Sequence, residues 1–113
     1  MEDRFLQQMK KGVLEMLVLE TVCGRATYGY ELLGRLREGS GGLFALKEGT
    51  LDPILYRLED DGFVTASWSA GEGRTAPKKI YTATVAGRAE AQRRRALWAQ
   101  FAGIVDGMGR EKA

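Results

Sequence analysis

The chain has 113 residues and no histidine. That absence removes most zinc sites, Ser–His and Cys–His catalysis, and the commonest general base. Its single cysteine, Cys23, has no partner for an internal disulfide and cannot build a thiolate metal cage. The longest unbroken apolar runs, Met16 to Leu19 among them, are far too short to cross a bilayer. No charged segment followed by an apolar one opens the chain, so no signal peptide is expected. A glycine-rich run at 39–42, GSGG, lacks the preceding strand and the spacing of a phosphate or dinucleotide loop. Charge of one sign is also lacking: 17 Lys and Arg against 15 Asp and Glu leave +2. These absences point to a cytoplasmic protein that is not an enzyme and needs no cofactor or metal.

What is present is the composition of one globular domain, with 44% hydrophobic residues. Residues 4–23 read as a helix. Val13, Leu14, Met16, Leu17, Val18, Leu19 and Val22 are apolar on nearly every side, as in a buried helix. Gly24 is its stop. Thr27 is placed to cap a second helix over about 28–38, with Tyr28, Leu32 and Leu36 on one face. A flexible break follows at 39–42. A third helix fits about 49–61, with Leu51, Ile54, Leu55 and Leu58 as its stripe. Pro53 falls in its first turn, and Gly62 ends it.

The period then changes from helical to alternating. Phe63, Val64, Ala66 and Trp68 form one strand, and Ile80 to Ala83 the return strand. The tip between them is SAGEGRTAP, 69–77. Thr84 then caps a long helix reaching about Met108, roughly 36 Å at about 1.5 Å per residue. Its first half is basic, with Arg88, Arg93, Arg94 and Arg95. Its second half carries Leu97, Trp98, Phe101, Ile104, Val105 and Met108. The last residues, GREKA, are expected to fray.

The fold class is therefore mainly α with a small β-hairpin. Residues 1–83 form a winged helix-turn-helix domain, and 84–113 a C-terminal dimerisation helix. A helix that long cannot bury its stripe on so small a domain, and the exposed patch would be costly. A two-fold homodimer solves this, with Leu97, Trp98, Phe101, Ile104 and Val105 in the seam. The alternative is a helix folded back on its own core.

A dimeric winged helix presents two symmetry-related recognition helices to a pseudo-palindromic site on double-stranded DNA. The wing offers Arg74, Lys78 and Lys79 against Glu72. Lys10 and Lys11, at the start of the first helix, are placed to meet phosphate. Residues 47–61 argue the other way. Lys47 and Arg57 face Glu48, Asp52, Glu59, Asp60 and Asp61, an acidic balance unsuited to a phosphate surface. Asp52 has two readings, a helix-dipole contact or an acceptor for cytosine N4.

Four stretches resemble a known family: KKGVLEMLVLETV (10–22), TYGYELLGRLRE (27–38), EGTLDPILYRLEDDGFV (48–64) and KKIYTATVAGRAE (78–90). They are similar to the PadR family of bacterial transcriptional regulators, in its short subclass with a single C-terminal helix. The resemblance implies a winged-helix dimer that represses transcription and is often released from DNA by a small molecule. It supports Thr50 and the wing lysines as DNA contacts. It departs at Asp52, where the family usually has a tyrosine near the DNA backbone. The wing is also less basic than many, with Ala76 and Pro77 where further cations are common.

In some similar short members a tryptophan matching Trp98 lines a cavity between subunits and stacks on flat aromatic molecules. Two indoles about a two-fold axis suit such a small aromatic inducer. Trp98 filling the interface is the other reading. Met9 and Leu14 are either co-lining residues or core. The competing functional reading is a winged-helix ligand- or protein-binding module in which the acidic third helix has removed tight DNA binding.

Overall fold

Seven elements follow one another in the computed structural model, which describes residues 3–71 and 73–112. They are α1 (Arg4–Gly24), β1 (Thr27–Tyr28), α2 (Gly29–Gly39), α3 (Glu48–Asp60), β2 (Val64–Trp68), β3 (Lys79–Ala83) and α4 (Val85–Lys112). Asp3 starts α1 by accepting the Phe5 and Leu6 N–H groups at 2.8 and 3.3 Å, which satisfies two otherwise orphaned donors. Leu14, Met16, Val18, Leu19 and Val22 are buried. Phe5 and Met9 are exposed. The all-round burial expected of this helix is therefore not met: Val13 and Leu17 are only half-buried, and the buried residues gather on one side of its C-terminal half.

Thr27 does not cap α2. Tyr28 occupies that position without a side-chain bond. Thr27 pairs with Tyr81 in the sheet and is buried. Its hydroxyl donates to Glu31 Oε1 at 2.6 Å. The expected two-stranded hairpin is therefore a three-stranded antiparallel sheet in the order β1-β3-β2. Beyond α2, Ser40 Oγ accepts the Phe44 N–H at 2.9 Å and so turns Phe44 into the core.

In α3 the apolar stripe Leu51, Ile54, Leu55 and Leu58 is buried, and Pro53 is tolerated early in the helix. Gly62 ends it with φ 79°. Its N–H donates to Glu59 O, and the Phe63 N–H to Leu58 O. That pair of bonds is the Schellman arrangement, and it needs a left-handed residue. Thr84 then joins sheet to helix. Its Oγ1 accepts the Gly87 N–H at 2.9 Å and donates to Gly62 O at 2.7 Å.

The first turns of α4 belong to the core through Ala91. Arg95 ties α4 to α1 by a two-pronged bond to Glu20 at 2.6 and 2.8 Å. Arg88 donates to the Cys23 carbonyl at 2.9 Å. The fraying expected from Gly109 onward is corrected: α4 runs on through Arg110 to Lys112. Ala113 lies outside the described residues, as does Glu72, which the sequence set against the wing cations. The long helix draws the molecule out to 62 Å in one direction.

Candidate nucleic-acid interface

With Leu51, Ile54, Leu55 and Leu58 turned inward, 3.6 residues per turn put Gly49, Asp52, Pro53 and Tyr56 on the outward face of α3. All four are exposed, as is Thr50. Lys47 occupies the N-cap position of α3, with no side-chain cap. Tyr56, 72% exposed, escaped the sequence reading. A signal was available, since its phenol falls outside the apolar stripe. Asp52 stays on the surface beside it.

Arg57 flanks this face, bound to Glu15 of α1 at 3.2 Å. Lys11 is exposed one turn before Glu15 on the same side of α1. Lys10 is placed differently. It is half-buried, with its ammonium 5.6 Å from the Phe44 ring centre. Because α1 begins at Arg4, both lysines lie past its first turn. The backbone N–H groups expected to assist them are already used within the helix.

On the wing, Lys78 Nζ lies 4.2 Å from the Tyr28 ring centre, a close cation–π contact. Lys79 Nζ reaches Glu59 Oε1 at 3.7 Å and so ties the wing to α3. Arg74 is exposed at the tip. Structure thus gathers Lys47 at the cap of α3 with Thr50, Asp52 and Tyr56 on the helix, and Arg74, Lys78 and Lys79 on the wing joined to it. Lys10 sits apart.

A second feature lies between the N-terminal half of α1, residues 43–44 and the outer half of α4. It is an apolar groove of about 740 Å³. Met9, Trp98, Phe101 and Val105 line it, with Lys10, Arg95 and Asp106 as its charged members. The Arg95 guanidinium stands 5.8 Å from the Trp98 ring centre. Leu14 does not line it. That side chain turns to a neighbouring side of α1, into the core. Along α4, Leu97, Trp98, Phe101, Ile104, Val105 and Met108 are all 42–67% exposed. Leu97, Phe101, Ile104 and Met108 follow the alternating four- and three-residue steps of a helix–helix seam.

No cluster of three or more metal-ligating side chains exists among the described residues. No described helix is long and apolar enough to cross a membrane. Burial pushes the Cys23 thiol up from its ordinary value, the opposite of what an activated thiol requires. Glu90, held by hydrogen bonds from Arg93 and Arg94, is lowered to about 2.

Residues 18–93 match the model of the PadR-like family of transcriptional regulators. The chain belongs to this family. A transcriptional regulator from Clostridium thermocellum shares the fold with a TM-score of 0.79, at 21% identity over 88% of this chain and 95% of that one. A PadR-like transcriptional regulator from Bacillus cereus gives 0.75 at 26% identity, covering 89% and 95%. PadR of Bacillus subtilis, solved in complex with operator DNA, gives 0.63 at 28% identity, covering 72% of this chain and 45% of that one. The four helices and small antiparallel sheet are accordingly the winged helix of the PadR-like regulators. Transcriptional regulation is the role that family and fold share.

Proposed function

We propose that the chain acts in the cytoplasm as a homodimeric repressor on a pseudo-palindromic operator, and that a small flat aromatic molecule releases it. The observation that carries this reading is the division of the surface. The exposed face of α3 is tied to a cationic wing at one end of α4, and an uncovered apolar stripe runs along the other. A second copy packed on Leu97, Trp98, Phe101, Ile104 and Val105 covers the stripe and sets two α3 helices at a fixed spacing. Lys47, Thr50, Arg74, Lys78 and Lys79 are the DNA contacts in this reading, with Lys11 at the edge. Lys10 is assigned to the groove instead.

The inducer sits in the groove against Met9 and Trp98. Because α4 carries both the groove and the seam, a ligand there changes the separation of the two α3 helices. It must bind the operator-free arrangement better, or it shifts nothing.

The acidity of α3 favours a second reading, a ligand- or protein-binding module without specific DNA binding. One titration separates the two. Fluorescence anisotropy is read on the DNA upstream of the protein's own gene, beside a scrambled duplex, across a salt series. Preference for the upstream DNA, with a log–log salt slope of about −0.9 per phosphate neutralised, supports the repressor. Equal, weak binding to both duplexes supports the module.

A further inference from the structure

The hold of the body on α4 ends at one ion pair. Gly87 lies against the Phe63 main chain, and Ala91 is the outermost α4 residue in the core. Arg94 leans on the Phe63 ring, 5.6 Å from its centre. Beside it, Arg95 donates from Nε and Nη2 to the two Glu20 carboxylate oxygens at 2.8 and 2.6 Å. Beyond Arg95, among the described residues, no hydrogen bond or ion pair joins α4 to another element. The groove opens there instead, and Arg95 is the first α4 residue on its wall.

A pair partly open to water adds little stability. Its effect lies in geometry, because two parallel bonds fix distance and orientation together. The outer part of α4 is thus a rod held at two points. Gly87 and Arg95 are about 12 Å apart, and Ile104 of the stripe is about 26 Å beyond Gly87, at about 1.5 Å per residue. A shift of about 1 Å at Arg95 therefore becomes about 2 Å at Ile104. Two-fold symmetry doubles that to about 4 Å between the protomers, more than the roughly 3.4 Å between successive base pairs.

We propose that Glu20 and Arg95 are positioning residues for operator recognition, their ion pair fixing the spacing of the two half-sites that the dimer accepts. The proposal rests on the dimeric DNA-binding reading above. Glu20 lies on α1 and Arg95 on α4, away from the outward face of α3 and from the wing. The sequence of each half-site is therefore read without them.

The test selects duplexes from a random pool with the wild-type protein and with Glu20→Gln, Arg95→Gln and Arg95→Lys. The wild type returns paired half-sites at a single spacing. Each variant returns the same half-site sequence over a spread of spacings wider by about one base pair or more. Unchanged half-sites with loosened spacing mark a lost positioning contact, whereas a damaged fold weakens the half-sites themselves. Arg95→Lys keeps the charge and loses the fork, so it decides the matter if a glutamine variant folds poorly. Arg93→Gln is the control. Arg93 bonds Glu90 within α4, so its loss leaves the wild-type spacing in place. A single wild-type spacing in Arg95→Lys overturns the proposal, as does loss of the half-site sequence in that variant or an equal spread in Arg93→Gln. A wild-type protein that selects no paired half-sites overturns the dimeric DNA-binding reading itself, and the spacing role with it.

Discussion

Replacing Gly87 by alanine reverses the sign that helix propensity alone assigns. Gly87 lies in the first turn of α4, where Gly→Ala ordinarily stabilises by about 1 kcal/mol. A Cβ at this position falls inside contact with the Phe63 carbonyl oxygen, 2.8 Å from its carbon and 3.2 Å from the Phe63 Cα. All three are main-chain atoms, so no rotamer change relieves the overlap. The start of α4 must lift away from the α3–β2 turn. That motion strains the Thr84 N–H bond to Phe63 O at 3.0 Å and the Thr84 Oγ1 bond to Gly62 O at 2.7 Å. Overpacking costs about 1–3 kcal/mol, and each weakened bond up to about 1 kcal/mol. Against the propensity gain, the net expectation is a loss of about 2 kcal/mol. Gly34→Ala in α2 is the matched control. Its nearest neighbour is the mobile end of Arg37 at 3.8 Å, so it should stabilise by about 0.5–1 kcal/mol. Urea unfolding at one fixed protomer concentration reads both, since association alters apparent stability. Gly87→Ala as stable as the wild type, or more so, would refute the close-approach argument.

Leu97→Asp and Phe101→Asp each put a charge into the proposed α4 seam, and light scattering should then report a monomer. A retained dimer mass in both would remove the seam from α4. Asp52→Tyr takes one negative charge from the outward face of α3, so operator affinity at moderate salt should rise severalfold. Unchanged or weaker binding in the anisotropy titration would assign Asp52 to base reading or to no contact. Glu90→Gln should lower stability at pH 7 by at most about 1 kcal/mol, because Arg93 is exposed and the pair is screened. The folded-state value of Glu90 is depressed to about 2 from an ordinary 4.5. Its contribution is therefore complete above 4.5 and fades as the pH falls toward 2. Urea midpoints that differ as much at pH 2 as at pH 7 would show that the carboxylate charge is not the cause.

The elements whose signals are local were legible in the residue order. Leu51, Ile54, Leu55 and Leu58 repeat with the helical period and are the buried stripe of α3. Gly62 stands where a helix must reverse hand and does so at φ 79°. Thr84 caps α4 as its position implies. In each case the period or the cap is set by covalent geometry within a few residues. β1 was not legible, because two residues carry no period. Thr27 and Tyr28 form a strand only because β3 offers them an edge. Met9 and Leu14 show the same division. Both are apolar residues of α1, yet Met9 lines the groove and Leu14 packs in the core. Five residues at about 100° each turn them to different sides of the helix. Hydropathy marks both as apolar, and only the elements packed on either side of α1 decide which one meets the core. The placement of Trp68 on the wing has the same origin. Alternation along β2 assigns Trp68 to a face, and the contact of Lys79 with Glu59 settles that this face looks toward α3.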